Sequence, residues 1–421
     1  MGQAGPSGGF RAAPGSCNPG GMSSDPDRPT IRLRPKANAR AIRHGTPWIY
    51  DNEIVTDRRS KALAPGTIAR LEDEARRPLG TVAVNPASRI FARMLDRDPA
   101  AAIDRAWLAA KLDTARAHRA RVFDAPFYRL VHAEADGLPG IIIDRFGDTA
   151  VIQPNAAWAE RLADDLAGAL VEVTRVVNVL KNAGGRARGL EGLDDRSAVL
   201  AGVNPGRVEV PMNGACYIAD LEAGQKTGLF FDQRPNHAFA AGLARGGSVL
   251  DVFSHVGGFA LAALAGGAAR ALAVDASAAA LDLARAGAAA SGTAERFDTR
   301  QGDAFDVLEA LGRDGARFDM VICDPPAFAP SKPALEAGLR AYEKIARLAA
   351  PLVAEGGYLG LCSCSHAADL QKFRTACTRG IGRAGRGGQL IHTGFAGPDH
   401  PQHPSLPESG YLKALFYRLT R

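Results

Sequence analysis

Cys364 stands in "LCSCSH", at the end of an apolar run. A thiolate there can act as a nucleophile. Added to C6 of a pyrimidine, it makes C5 enolate-like and able to take a methyl group. Loss of the C5 proton and of the thiol then restores the ring. An unperturbed cysteine has a pKa of about 8.5, so only a few per cent is thiolate at pH 7. A helix N-terminus following Ser365 is expected to help lower it. The plainer use of cysteine is as a small buried residue. Cys323 and Cys362 fit that use, because both fall inside apolar runs.

Four acids make a second set. Asp251, Asp275, Asp303 and Asp324 each close a run that reads as a strand. Gly257 and Gly258 follow the first of these runs, where glycine lets a backbone approach a ligand and exposes helix N–H groups. Asp275 lies 24 residues after Asp251, and a carboxylate at that place suits a ribose diol. Asp303 is expected to meet the amine edge of an adenine, with a helix N-cap as its plainer alternative. The spacing would also serve a nicotinamide dinucleotide. However, the glycines do not spell G-x-G-x-x-G, and "DPPAF" is foreign to dehydrogenases. Pro325 and Pro326 hold their loop extended. They offer a rigid edge for a flat base, with Phe328 available to stack on it.

These residues need elements to hold them. After Gly246, strand-like and helix-like runs alternate, as "SVLDVF", "GGFALAALA", "ALAVD", "SAAALDLARAGAAA" and so on to "YLKALFYRL". That alternation predicts an α/β, mostly parallel, doubly wound sheet with its ligands at the carboxyl ends of the strands. Ahead of it, residues 30–98 read as a small β-rich domain and 99–215 as an α+β domain. The latter has helices over 99–123 and from Ala157 to about Leu170, and a hairpin at Ile141–Ile143 and Ala150–Gln153. Residues 216–421 form the last domain. Residues 1–29 are Gly-, Pro- and Ser-rich without an apolar core, so they are expected to be disordered and not a secretory signal. Met22 is a second candidate start, which mass spectrometry of the native N-terminus would test.

The 421 residues carry a net charge of +6. Between Ile31 and Arg70 nine Lys or Arg face three acids, so that stretch alone holds an excess equal to the whole. A basic excess near one end suits a phosphate backbone. The six cysteines form no C-x-x-C pair, which argues against a disulfide scaffold or zinc site and for a reducing cytoplasm. No apolar run reaches the roughly 20 residues of a membrane span.

Seven motifs occur in order: "HGTPWIYDNEI", "RLVHAEADGLPGIIIDRFGD", "GQKTGLFFDQRPNH", "LDVFSHVGGFALAAL", "CDPPAFAPSK", "CSCSH" and "DHPQHPSLPESGYLKALF". With them the chain resembles the bacterial PUA-domain-containing large-subunit rRNA cytosine-5 methyltransferases, over all but residues 1–29. The resemblance implies a Rossmann-like class I methyltransferase domain using S-adenosylmethionine (AdoMet). A PUA-like domain and a central domain would precede it. It implies Cys364 as nucleophile and Asp324 at the N3/N4 edge of cytosine. Phe253, Gly257, Asp275, Asp303 and Asp324 are then expected around the cofactor, and Pro325, Pro326 and Phe328 around the base. A hairpin over 225–234 would cover the cofactor, with Asp232 and Arg234 at its amino-acid end. The implied partner is ribosomal RNA, with a homodimer left open and neither metal nor membrane involved. His255 replaces a common aromatic, and Ala327 a common Lys or Thr. Ala327 also stands where two-cysteine enzymes carry a second cysteine, so release cannot depend on one. Purine N-methylation without a covalent step, and a non-catalytic RNA-binding role, are the alternatives.

Overall fold

The computed structural model describes residues 28–222 and 228–421. The expectation for residues 1–29 therefore lies almost wholly outside it, as does the start of the expected 225–234 hairpin.

The first domain is a five-stranded sheet of Thr30–Arg32, Trp48–Ile49, Thr67–Glu72, Pro78–Val84 and Ala92–Asp96. Along Thr67–Glu72 burial alternates, turning Ala69 and Leu71 inward onto Ile31, Ile49, Val82 and Phe91. The turn between the third and fourth strands is tied by Asp73. Its carboxylate accepts from the backbone N–H groups of Ala75 and Arg77 and pairs with Arg43 and Arg77, which hold its pKa down at about 2 against its burial.

Helix Arg105–Arg119, capped by the Asp104 carboxylate, leads into the central sheet. Its five strands are Phe127–His132, Ile141–Phe146, Thr149–Pro154, Asn178–Lys181 and Ala198–Ala201. The hairpin between the second and third turns on Gly147, whose φ is +66°. The helix expected from Ala157 is two helices, Ala157–Arg161 and Ala163–Thr174, broken at Leu162. Leu162 carries no capping side chain, so the continuous apolar face conceals the break.

The expected boundary between 215 and 216 also changes. It cuts the antiparallel ladder of Arg207–Met212 and Ala215–Asp220. That ladder buries Val210, Met212 and Tyr217 in the core of the last domain, with Tyr217 Oη donating to Gly258 O at 3.0 Å. No strand follows within 228–233, and Arg234 opens a helix, so the described part of the expected hairpin is a turn and a helix start.

The last domain is a seven-stranded sheet. In chain order its strands are β1 (Ser248–Val252), β2 (Arg270–Asp275), β3 (Phe297–Gln301), β4 (Phe318–Cys323), β5 (Val353–Ser363), β6 (Gly387–Gly394) and β7 (Lys413–Thr420). Its helices are α1 (Arg234–Leu243), α2 (Gly258–Ala265), α3 (Ala278–Ala290), α4 (Ala304–Arg313), α5 (Leu335–Ala349) and α6 (Leu370–Arg383). The spatial order is β3-β2-β1-β4-β5-β7-β6, parallel through β5 and antiparallel at β7 and β6. Val249, Met320 and Ile322 join one core, while Leu250, Val321 and Cys323 join the other. Both faces are therefore covered, as parallel sheets require. The strand order reverses between β1 and β4, which opens a crevice at their carboxyl ends. No helix among the described residues is long and apolar enough to cross a membrane.

Candidate active site

The loop after β1 is built under strain. Phe253 and His255 have φ of +63° and +50°, and Gly257 has +82°. Side-chain-bearing residues adopt that region at a cost of roughly 1–2 kcal/mol each. Two acids keep the loop in place. Asp275, at the end of β2, accepts from His255 N–H with Oδ2 and from Ser277 N–H with Oδ1, each at 2.8 Å. Asp251 lies beneath, fully buried, its Oδ2 accepting from the N–H groups of Phe259 (3.1 Å) and Ala260 (2.9 Å) in the first turn of α2. Burial pushes its pKa up to about 7. Glycine is favoured at 257 on two counts, its positive φ and the crowding a Cβ would meet at Leu261 Cγ (3.1 Å) and Ala284 Cβ (3.3 Å).

Asp303 caps α4. Its Oδ1 accepts from Phe305 N–H at 2.9 Å and Asp306 N–H at 3.3 Å. The plainer use foreseen for it is therefore in force, though the residue stays exposed at the end of β3.

Asp324 follows β4, and its N–H donates to Val252 O at 3.1 Å, which knits the loop to the end of β1. Burial first, and then the charge of Asp232, push its pKa up to about 8 against an opposing pull from the Gln233 amide. Asp232 accepts from Tyr411 Oη at 2.6 Å. Gln233 is oriented by Asn236, whose Nδ2 donates to Gln233 Oε1 at 2.6 Å, leaving the amide nitrogen facing Asp324.

Phe328 is half-buried in an aromatic cluster. Its ring packs among Phe253, Phe305 and Tyr342, with the Tyr342 ring 5.1 Å away between centroids. It anchors the loop, and Pro326 is the member of the Pro-Pro pair left exposed.

The turn carrying Cys364 is tied to that loop. Ser365 Oγ accepts from Ala329 N–H at 2.9 Å, and Tyr342 Oη bridges Ser365 Oγ (2.7 Å) and Ser363 Oγ (2.8 Å). Cys364 itself is half-buried, whereas Cys323 and Cys362 are buried thiols whose pKa values burial drives up. The helix expected directly after Ser365 is absent. α6 starts at Leu370, and the Asp369 carboxylate already caps it. A cation stands near Cys364 instead. Lys413, the first residue of β7, is buried, and its Nζ donates to Ser365 O at 2.7 Å.

Arg234 points elsewhere than expected. Its guanidinium donates to Phe127 O and lies over the rings of Phe123 and Phe231, so it serves the junction with the central domain. Gln233, Tyr342, Tyr411 and Lys413 were not singled out from the sequence. The one local signal was a lysine inside the apolar run "YLKALF".

The polar groups at the strand ends fit a zwitterionic nucleoside. Asp251 Oδ1, Ser254 Oγ and Gln233 Nε2 are buried polar atoms that make no hydrogen bond in the protein, the last facing Asp324 too loosely for one, so an acceptor, a hydroxyl and an amide donor await a partner. The Asp275 oxygens each keep a lone pair for a diol. Among the described residues no group of three or more His, Cys, Asp or Glu is arranged to hold a metal ion.

Comparison with known proteins agrees with this reading. Residues 31–97 match the PUA-like domain family, and residues 193–417 the S-adenosylmethionine-dependent methyltransferase family. The chain is 34% identical over 404 residues to the ribosomal RNA large subunit methyltransferase of Deinococcus radiodurans, covering 93% of this chain and 98% of that one. It is 36% identical over 393 residues to ribosomal RNA large subunit methyltransferase I of Aliivibrio fischeri, covering 91% and 98%. A solved structure described as a candidate SAM-dependent methyltransferase from Streptococcus mutans superposes with a TM-score of 0.77 at 19% identity, over 93% of this chain and 100% of that one. The resemblance read from the seven motifs holds, and so does the fold class. With a PUA-like domain at its N-terminus and an AdoMet domain behind it, the chain belongs to the family of the ribosomal RNA large-subunit methyltransferases.

Proposed function

We propose that the protein methylates C5 of a cytidine in large-subunit ribosomal RNA, with Cys364 as the covalent nucleophile. The observation that carries this is the junction of two loops: the Cys364 turn is hydrogen-bonded through Ser365 to the loop that begins at Asp324. Bound AdoMet supplies the electrophilic methyl group. Asp275 suits its ribose, Asp303 its adenine edge, and the unpartnered atoms near Asp251 and Gln233 its charged end. Asp232, held by Tyr411, acts on Asp324 through its charge.

Asp324 is the natural reader of the base. With its pKa near 8 it is mostly a neutral acid at pH 7. A neutral carboxyl both donates and accepts, which matches the N3 acceptor and N4 amine of cytosine. The Cys364 sulfur adds to C6, and the ring electrons move toward C5 and the N3 edge that Asp324 protonates. After methylation, the C5 proton is lost to solvent, the thiolate leaves C6 and the N3 proton returns to Asp324, which restores aromaticity and the neutral acid. The base must leave its stack at a cost of a few kcal/mol, less in a loop or single strand.

Bisulfite mapping of ribosomal RNA from a deletion strain tests the reading. One cytosine should lose its mark, and an unchanged map would refute it. Cys364→Ala should lower activity by roughly three orders of magnitude or more. Full activity of that variant would favour ring-nitrogen or amine methylation of a purine.

A further inference from the structure

We propose that Lys413 is the positioning residue of the nucleophile: its ammonium holds the Cys364 sulfur as a thiolate and fixes the turn that presents it. This rests on Cys364 being the nucleophile.

The geometry begins with the sheet. β7 runs antiparallel to β5 and pairs Lys413 with Ser363, the residue before Cys364. The lysine side chain then reaches past the end of β5 and donates to Ser365 O, the carbonyl just after Cys364. The amine thus spans the cysteine, one side of it fixed by strand pairing and the other by a hydrogen bond. That bond uses one of three N–H donors.

Its surroundings make the amine costly to bury without a charged counterpart. Leu412, Ala414, Leu415 and Phe416 are buried around it in sequence, and Lys413 itself is 5% exposed. Among the described residues it forms no salt bridge, although most buried ammonium groups are paired. The groups facing this pair come from four places. Asp369, at the start of α6, attracts the ammonium, but its carboxylate is already held by the Lys372 N–H (2.8 Å) and Lys372 Nζ (2.6 Å). His366, from the cysteine's own turn, is kept neutral by burial and by Lys413. Tyr411, from the loop before β7, and Tyr342, from α5, face the sulfur as neutral hydroxyls, because burial raises both pKa values. Asp232 lies behind Tyr411. Lys413 is therefore the cation of this set. Burial lowers its pKa to about 8, with the Cys364 charge acting the other way, so it stays largely protonated at pH 7.

The proton balance is simple. The S–H bond breaks, its proton leaves to solvent, and Lys413 keeps its own. A nearby cation favours the thiolate as it does for other reactive cysteines.

The experiment measures iodoacetamide alkylation of Cys364 in the full-length protein between pH 5.5 and 10, read by mass spectrometry of its peptide. Three variants accompany the wild type. Lys413→Gln keeps an N–H for Ser365 O and loses the charge, Lys413→Met loses both, and Lys413→Arg keeps the charge. In Lys413→Gln and Lys413→Met the pH midpoint of alkylation should rise by about one unit, and the rate at pH 7 should fall roughly tenfold. Lys413→Arg should stay near the wild type. The acid limb of the methylation pH profile should move with the alkylation midpoint. An unshifted midpoint in folded Lys413→Gln overturns the proposal, even if Cys364→Ala is inactive. Full methylation by Cys364→Ala would instead remove the nucleophile itself. Because alkylation reads the thiol without any turnover, the two failures are distinguishable.

Discussion

Asp251 shows how one carboxyl can hold a loop and cost stability at once. Its Oδ2 caps α2, its Oδ1 has no partner, and burial lifts its pKa to about 7. In the unfolded chain it ionises near 3.8. Between those values the unfolded state has lost a proton that the folded state keeps, so this group's contribution falls as pH rises from about 4 to 7 and is level above. Asp251→Asn removes that dependence. Its stability relative to the wild type should grow by about 2 kcal/mol between pH 5 and pH 7 in denaturant melts; parallel curves would refute the assignment. Asp251, Asp275 and Asp324 were legible because acids at the ends of apolar runs are conspicuous. Lys413 and Gln233 were not, because their roles come from partners 48 and 91 residues away, Ser365 and Asp324. The aromatic cluster around Phe328 was hidden for the same reason: its three ring neighbours come from three separate segments.

At the scale of elements, α5 does more than cover the sheet. Tyr342 projects from it into the gap between the β5 turn and the loop after β4, and its hydroxyl joins Ser363 to Ser365. Tyr342→Phe leaves the two serines without that link. It should destabilise by about 1–2 kcal/mol. It should also lower kcat several-fold while leaving AdoMet affinity in calorimetry unchanged, because the cofactor loop after β1 is not involved. A weakened affinity would mean that the effect spreads beyond the turn. The alternating elements of this domain were readable because buried parallel strands are short apolar runs between helical repeats. The break at Leu162 and the late start of α6 were hidden, one by continuous apolar patterning and the other by the four residues between Ser365 and Leu370, where only the Asp369 cap marks the helix start.

Across the whole molecule, a buried ionic junction binds the central domain to the catalytic tail. Arg119 pairs with Asp136 (2.6 and 2.8 Å) and donates to Asp399 O at 2.9 Å. Asp399 accepts from Arg129 N–H at 3.0 Å and shares a hydrogen bond with His400 Nδ1, also at 3.0 Å, and Arg129 pairs with Asp144. Arg119→Ala should cost roughly 3–5 kcal/mol, since it strands Asp136. It should also speed hydrogen exchange across 397–413; protection unchanged there would mean the junction is not what orders that segment. The N-terminal excess of charge behaves differently. Arg32 and Arg43 are spent on Glu72 and Asp73, whereas Lys36, Arg40, Arg58, Arg59 and Lys61 are exposed and make no ion pair among the described residues. Replacing Arg58, Arg59 and Lys61 with alanine should flatten the salt dependence of ribosomal RNA binding, by roughly 0.7–0.9 of log–log slope per lost phosphate contact. A slope equal to the wild type would move the RNA contact to another surface.

The stretch from Asp399 to Lys413 serves two owners. One end is locked into the central domain through Arg119 and Arg129, and the other delivers Tyr411 and Lys413 to the site. The catalytic module is therefore not a portable cassette. Gene fusions or recombination events that graft it onto a foreign RNA-binding partner would inherit the chemistry only if the central domain travelled with it.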